Sequence, residues 1–211
     1  ADLNSFLDTP ANIQYLHGTP HTFGNDADTI QVVVNDGGNT GSGGGTDQTI
    51  GTVNVDITAV NDEQVLATNT GDTVSEGSSG NVLTTAMLET TDVDNTTGQW
   101  VYTVDALPTT GTLYRSAVAL NVNETFTQAD IDGGLISYDH DGSETSADSF
   151  DFTVDDGAGT TTSSTVNWTV TPVNDAPVES SIEGGTLAYT ENGGAVAITS
   201  TLALSDADDT N

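Results

Sequence analysis

This chain has almost no positive charge and no cysteine. Its 211 residues include a single lysine or arginine, Arg115, against 32 acidic residues, and the formal net charge is −31 at pH 7. Such a surface repels nucleic acid and anionic membranes, and it opposes compaction unless cations screen or bind the carboxylates. The absence of cysteine excludes disulfide bonds and thiol chemistry, so any cross-linking of the fold has to come from another source.

Long apolar runs are missing as well. No stretch approaches the ~18 residues of a membrane span, and no signal peptide is recognisable, so we expect any export signal or anchor to lie outside this segment. Only 34% of the residues are hydrophobic. They alternate with polar residues, which is typical of half-buried strands rather than helices. The sequence therefore predicts an all-β protein.

The chain does contain an internal repeat. The segment VNVDITAVND, which ends at Asp62, returns as VNWTVTPVND, which ends at Asp175, a period of 113 residues. A repeat of this length matches one antiparallel β-sandwich of the immunoglobulin-like, Greek-key type. We therefore predict three parts: the C-terminal part of one repeat at 1–62, a complete repeat at 63–175, and the N-terminal part of the next repeat at 176–211.

Within the complete repeat, alternating patterns predict about seven strands separated by turns. Thr127 is positioned to cap a single helical turn over residues 128–131, which Gly133 and Gly134 would end. The glycine-rich segment 39–48 is predicted to be a mobile hairpin tip. Side chains that share strand faces are expected in the core, and these are Trp100, Tyr102, Val104, Phe150, Phe152, Val154, Val166, Trp168 and Val170.

Acidic and amide side chains recur at each repeat junction, in a preceding loop, the linker, the next first strand and a later loop. Loops gather at the ends of a sandwich, so we expect these groups to converge where two repeats meet. Ca²⁺ takes ~6–8 oxygen ligands, which such loops can supply. The alternative is a uniformly solvated acidic surface, as in a protein adapted to high salt. The candidate ligands are Asp36, Asn61, Asp62, Glu76, Asp92 and Asp94 at the first junction, and Asp156, Asn174, Asp175, Glu191, Asp206 and Asp208 at the second.

These residues carry a resemblance. The linkers AVND and PVNDAPV and the stretch FTQADIDGGLISYDHDGSETSADSFDFTVDDG at 126–157 resemble cadherin-like repeats, and more specifically the chondroitin-sulfate-proteoglycan-type repeats of large bacterial RTX-type surface adhesins. The resemblance implies tandem cadherin-like sandwiches in an extracellular, calcium-stiffened adhesin or surface filament that serves cell adhesion or a biofilm matrix. It also implies that the junction residues named above, other than Asp36 and Asp156, are Ca²⁺ ligands. The first linker departs from the second, because Glu63 stands where Ala176 precedes a proline.

The expected partners are neighbouring repeats, in the same chain or in neighbouring subunits, which would cover the incomplete ends of this segment. A glycan or cell-surface ligand is a further expected partner, whereas nucleic acid and membrane insertion are not expected. Two alternatives stay open. One is a self-assembling filament subunit joined by strand exchange, and the other is a carbohydrate- or protein-binding module that uses loops 39–48 or 139–148.

Catalytic motifs are not recognisable, and the sequence predicts that the protein is not an enzyme. His17 and His140 occupy equivalent positions after Tyr15 and Tyr138, so we expect structural hydrogen bonds rather than a catalytic base. His21 is expected at the surface. No nucleophile elbow, phosphate loop or zinc-protease motif is present. The acidic run at 139–144 is read either as a further ion site or as a polar turn.

Overall fold

A computed structural model describes residues 14–35, 45–182 and 184–208 of the chain. It divides the chain into two units, Ala1–Asp62 and Glu63–Asn211. Nearly all of the regular structure is β-strand, in several sheets that are antiparallel with one exception among the described strand pairs. The prediction of an all-β sandwich fold is confirmed.

The first unit contains a long antiparallel hairpin. Its strands are β1, Gly24–Val34, and β2, Gln48–Ile57, in which apolar and polar residues alternate as the sequence predicts. Ile30 lies opposite Val53, yet the two side chains are 38% and 53% exposed, so the described part of this unit does not cover its own apolar face. The predicted hairpin tip at 39–48 lies mostly outside the described residues.

The second unit contains the remaining elements, thirteen strands and one short helix among the described residues. These are β3 Val65–Asn69, β4 Asp72–Ser75, β5 Asn81–Val82, β6 Leu88–Thr91, β7 Val101–Ala106, β8 Gly111–Arg115, β9 Val118–Ala119, β10 Thr125–Thr127, α1 Gln128–Asp132, β11 Ile136–His140, β12 Ala147–Asp155, β13 Thr161–Thr171, β14 Val178–Ser180 and β15 Ala203–Ser205.

Two principal sheets form the sandwich. The larger has the strand order β10-β7-β12-β13-β4, and the smaller has the order β5-β11-β8-β9. Strands β3 and β6 form a separate antiparallel pair. Strand β4 joins β13 in parallel, with Ser75 opposite Thr171. This parallel pairing was not part of the predicted antiparallel sandwich, and it fixes the end of the module at which the chain following β4 emerges.

The core consists of inward-facing aromatic and branched side chains from both sheets. Tyr138 stacks on Trp168 with a ring-centroid distance of 4.0 Å, and Tyr102 stacks on Phe126 at 5.0 Å. All nine residues predicted to face the core are buried, including Trp100. The two tryptophans therefore pack inside the module. Each buried aromatic side chain removes a large apolar area from water, which is the main term that stabilises the fold.

The short helix α1 begins and ends as the sequence predicts. The hydroxyl of Thr127 accepts a hydrogen bond from the backbone N–H of Asp130, and the Asp130 carboxylate accepts one from the backbone N–H of Thr127. This reciprocal pair satisfies two donors that the first helical turn cannot. Gly133 caps the carboxyl end. The helix runs one residue further than predicted, to Asp132.

The internal repeat is visible in the strand pairing. In the complete repeat Val65 of β3 lies opposite Thr91 of β6, and at the carboxyl end of the chain Val178 of β14 lies opposite Ser205 of β15. The tyrosine–aspartate contact also recurs. Tyr138 donates to Asp148 at 2.8 Å, and Tyr15 in the first unit donates to Asp28 at 2.8 Å.

Candidate metal centres

The predicted ligands of the complete repeat lie at two opposite ends of strand β13. Glu76 follows β4, and its backbone N–H donates to Thr171 at the carboxyl end of β13. Asp156 lies in the turn that precedes the amino end of the same strand. An eleven-residue strand at about 3.3 Å per residue spans more than roughly 30 Å. The two sets of acidic residues are therefore separate candidate sites.

This separation corrects the predicted grouping. The sequence predicts Glu76 at the first junction with Asp92 and Asp94, but Glu76 lies at the far end of the module, beside the second linker. The physical reason is the parallel pairing of β4 with β13, which carries the end of β4 toward residues 171–175. Glu191 is the repeat equivalent of Glu76 and is exposed in a turn. We therefore expect Glu191 to serve the junction that follows, not the one with Asp206 and Asp208.

The Glu76 cluster comprises Glu76, Glu144 and Asp208. One carboxylate oxygen from each residue lies within 4.8 Å of the other two. The three residues come from the end of β4, the loop after β11 and the loop after β15, so the cluster joins the complete repeat to the start of the next one. Such a group of oxygens, drawn from three separate segments, has the chemistry that Ca²⁺ prefers.

Backbone hydrogen bonds hold two members of the Glu76 cluster against the linker. Glu76 Oε2 accepts from the backbone N–H of Val173 at 3.1 Å. Asp208 Oδ2 accepts from the backbone N–H of Asp175. Asp206 in turn accepts from the backbone N–H of Asp208 at 3.1 Å, an Asx-type turn that orients the loop. The predicted ligands Asp175, Asp206 and Asp208 are thus brought together, with Glu76 in place of Glu191.

The electrostatics of the Glu76 cluster are unfavourable without a cation. Desolvation raises the pKa of Glu144, and the nearby charges of Glu76, Asp208 and Asp175 raise it further, as does a hydrogen bond to Glu76. Each of these causes disfavours the ionised form of the Glu144 carboxyl group. A divalent cation between the three oxygens would reverse the effect, because it neutralises the charges that repel one another.

The Asp92 cluster lies at the other end of the module and comprises Asp92, Asp94, Asn95 and Asp156. Asp92 Oδ1 accepts from the backbone N–H of Asp94 at 2.7 Å, and the Asn95 side chain donates to the carbonyl of Asp156 at 3.5 Å. Asp92 Oδ2 and Asn95 Oδ1 are buried and accept no hydrogen bond from the described residues. Buried acceptors of this kind fit a cation better than they fit a packed core.

The remaining predicted ligands lie in the linkers or outside the described residues. The side chain of Asn61 donates to the carbonyl of Asp62 at 2.6 Å, and Asn174 donates to the carbonyl of Asp175 at 2.7 Å. The two linkers therefore share the same local hydrogen bond. Asp62 also pairs with His21 at 2.9 Å, both at the surface of the first unit. Asp36 lies outside the described residues.

The structure brings into these clusters two residues that are absent from the predicted ligand set. Glu144 belongs to the acidic run at 139–144, and its partners come from segments far away in the chain, so the run alone could not separate an ion site from a polar turn. Asn95 directly follows Asp94, and its proximity to the turn after β12 depends on the packing of the sandwich. At neither position does the neighbouring sequence indicate a metal ligand, apart from the polarity of the residue itself.

The buried histidine has the structural role that the sequence predicts. His140 Nδ1 lies 3.2 Å from the backbone nitrogen of Gly77 and 3.1 Å from that of Gly142, and Nε2 lies 3.0 Å from Thr145 Oγ1. His21 lies at the surface, as expected.

The chain matches a known protein family over this same module. The family model described as Cadherin-like matches residues 65–171, about half of the chain. The chain belongs to this cadherin-like family. The match spans β3 to β13 and so covers the sandwich between the two acidic clusters. Family membership agrees with the resemblance drawn from the linkers and from the 126–157 stretch.

The curated relatives are extracellular matrix proteins of animals rather than bacterial adhesins. The cadherin-like chain is 35% identical to "Extracellular matrix protein 3" of Lytechinus variegatus over 62% of its length, and 32% identical to "Extracellular matrix organizing protein FRAS1" of Mus musculus over 69%. The chain spans only 3–4% of the length of these relatives.

These relatives support an extracellular location and point to a structural protein rather than an enzyme. None of the helices in the described part of the chain is long and apolar enough to cross a membrane.

Proposed function

We propose that this chain is a segment of an extracellular stalk of tandem cadherin-like repeats, in which Ca²⁺ bound at the junctions holds each repeat at a fixed angle to the next. The relatives are matrix proteins, and a matrix or adhesion module of this kind works by spacing and stiffness. The bacterial adhesin, biofilm and filament roles suggested by the resemblance would depend on the same calcium-dependent stiffness.

The Glu76 cluster carries the proposal. It joins two carboxylates of the complete repeat, Glu76 and Glu144, to Asp208 of the following one. A cation held by all three can bind tightly only when both repeats are in place, so binding and docking reinforce each other. The Asp92 cluster has the equivalent of Asp206 and Asp208 in Asp92 and Asp94, and we propose that it binds a second Ca²⁺ at the other end of the module.

The expected affinity suits an extracellular setting. Calcium modules of this kind bind at ~10⁻⁴ to 10⁻³ M, which lies near the free Ca²⁺ concentration outside cells. An ion that binds only the native state raises stability by RT ln(1 + [L]/Kd), about 0.4 kcal/mol when the free ion equals Kd and about 1.4 kcal/mol at a tenfold excess. Calcium would therefore tune the rigidity of the stalk over the range in which the protein works.

The test uses Glu144→Gln and reads stability with and without calcium. In EDTA the variant is expected to be slightly more stable than the wild type, because it removes a carboxylate that Glu76 and Asp208 repel. In CaCl₂ it is expected to bind the ion at least about tenfold more weakly, as weakened metal shells generally do. Thermal melting gives the first quantity and isothermal titration with CaCl₂ gives the second.

Asp105→Asn is the matched control. Asp105 is an exposed acid on the outer face of β7 and accepts a hydrogen bond from Thr153, so its removal changes the net charge equally without touching either cluster. A Glu144→Gln variant that behaves like this control in both solutions would contradict the proposal. The double variant Asp92→Asn/Asp94→Asn is expected to weaken calcium binding at the other end only.

A second observation favours a partner for the hairpin in the first unit. Ile30 and Val53, which lie opposite each other, are 38% and 53% exposed, whereas Phe150 and Val166, the residues that match them in the complete repeat, are buried. We propose that a neighbouring repeat, from the same longer chain or from another subunit, covers this face. Light scattering of the isolated segment distinguishes the cases, since a partner from another subunit predicts concentration-dependent association and a partner from the same chain does not.

A glycan or cell-surface ligand remains a further proposed partner of the assembled stalk.

A further inference from the structure

His140 links the two loops that carry the acidic residues of the Glu76 cluster. Gly77 directly follows Glu76, and Gly142 precedes Glu144 by two residues. The backbone N–H groups of both glycines point at the same nitrogen, His140 Nδ1, at 3.2 Å and 3.1 Å. The imidazole ring is 5% exposed, so these bonds are shielded from water.

The hydrogen bonds identify which ring nitrogen carries the proton. Backbone N–H groups can only donate, so Nδ1 must be the bare nitrogen of a neutral imidazole. Nε2 then carries the proton and donates to Thr145 Oγ1 at 3.0 Å. The Thr145 hydroxyl donates onward to Thr110 Oγ1 at 3.3 Å. Every partner of the ring is consistent with this single tautomer.

The two loops also touch each other directly. A methyl group added to Gly77 would lie 3.9 Å from Cα of Gly142. Both glycines have positive φ angles, 62° and 83°, which favours glycine at each position. Two further bonds cross between the segments: the backbone N–H of His140 donates to Ser78, and that of Gly80 donates to Asp139. The loops are therefore held as one unit, with the ring of His140 between them.

We propose that His140 is a positioning residue for the calcium site at the Glu76 cluster. By accepting from Gly77 and Gly142 together, the neutral ring sets the spacing between Glu76 and Glu144 before the ion arrives. This inference rests on the proposed function, and it assigns His140 no direct contact with the ion. Residues that orient metal ligands typically change affinity ~10- to 100-fold when they are replaced.

The test compares two amide substitutions that differ in one acceptor. In His140→Asn the side-chain oxygen can occupy the position of Nδ1 and accept from both glycines. In His140→Gln the amide reaches instead to the position of Nε2, beside Thr145. Both variants lose ring packing, so a purely structural role predicts similar losses of stability and unchanged calcium affinity in both.

Calcium affinity is measured by titration with CaCl₂ in the Asp92→Asn/Asp94→Asn background, which isolates the Glu76 cluster. We expect His140→Asn to bind within about twofold of its parent and His140→Gln to bind at least about tenfold more weakly. Equal affinities in the parent and the Gln variant would overturn the role of His140 and leave the proposed function standing. A parent that binds no Ca²⁺ would overturn the proposed function, and the positioning role with it.

A metal-free measurement checks the tether separately. In EDTA we expect the amide protons of Gly77 and Gly142 to exchange faster in His140→Gln than in His140→Asn and the wild type, because only the Gln variant lacks an acceptor for them. Equal exchange rates in all three proteins would show that the ring does not tie the loops, whatever the calcium result.

Discussion

At the scale of single residues, Asp148 shows how a buried carboxylate is kept ionised. Burial raises the pKa of Asp148, but hydrogen bonds from Thr109, Tyr138, Ser149 and Thr110 outweigh that effect, and the net pKa is lowered. The bonds come from three backbone N–H groups and from the hydroxyls of Tyr138 and Thr109, at 2.8 to 3.2 Å. Five donors around one charge make the site specific for a carboxylate.

Asp148→Asn is expected to destabilise the second unit by about 2 kcal/mol. The side-chain NH₂ group of asparagine would face the hydrogen-bond donors that now contact the carboxylate and would leave some of them without an acceptor. Urea denaturation in EDTA measures this loss. The lowered pKa of Asp148 means that its contribution is present above its ordinary pKa and is lost as the pH falls through the folded-state value. The difference in the free energy of unfolding between the wild type and the variant should therefore shrink at acidic pH.

Asp151→Asn is the control for this change, since Asp151 is exposed on the same strand and accepts a hydrogen bond from Thr165. We expect it to cost less than about 0.5 kcal/mol, as surface substitutions generally do. A loss in Asp148→Asn no larger than this would show that the buried network contributes little.

At the scale of secondary-structure elements, the sequence predicted the strands better than their arrangement. Alternation identified the inward faces of β7, β12 and β13, because burial of one face imposes a period of two. Thr127 identified the helix start through its own chemistry. The sequence does not indicate which strand β4 pairs with or in which direction, because four residues carry no pattern that distinguishes parallel from antiparallel pairing. The misplacement of Glu76 followed from that missing information.

A single substitution in the turn between β3 and β4 should strongly destabilise the fold. Gly71 has a φ angle of 63°, and an added Cβ would lie 1.8 Å from the carbonyl oxygen of Asn167 in β13. Gly71→Ala therefore forces β4 away from β13, and we expect a loss of at least about 2 kcal/mol by urea denaturation.

Gly98→Ala is the matched control, because nothing lies within 4 Å of an added Cβ there and no positive φ angle is required. It is expected to be close to neutral. Equal stability of the two variants would mean that the parallel pairing of β4 is not required for the fold.

At the scale of the whole molecule, charge is the dominant feature. A net charge of −31 with one arginine leaves few favourable ion pairs to offset the repulsion. Arg115 is already paired with Asp130 at 3.2 Å. Both acidic clusters contain an Asx turn, in which Asp92 accepts from Asp94 and Asp206 accepts from Asp208.

Added salt should therefore stabilise the metal-free chain. Raising NaCl from about 0.01 M to about 1 M shortens the Debye length from about 30 Å to about 3 Å. A gain of about 1 kcal/mol would raise Tm by roughly 2–4 °C in a protein of this size. Calorimetry in EDTA measures the shift. Saturating CaCl₂ should reduce it, and a Tm that is independent of salt in EDTA would contradict this account.

The parallel pairing of β4 with β13 has a mechanical consequence. The chain enters the module through β3 and β4 and leaves it through β13, and four residue pairs join β4 to the last part of β13. Tension applied to the two ends of the module pulls these neighbouring strands in opposite directions along their own axes. Their hydrogen bonds are then loaded together in shear rather than broken one after another, so the module resists stretching along the β4–β13 pair.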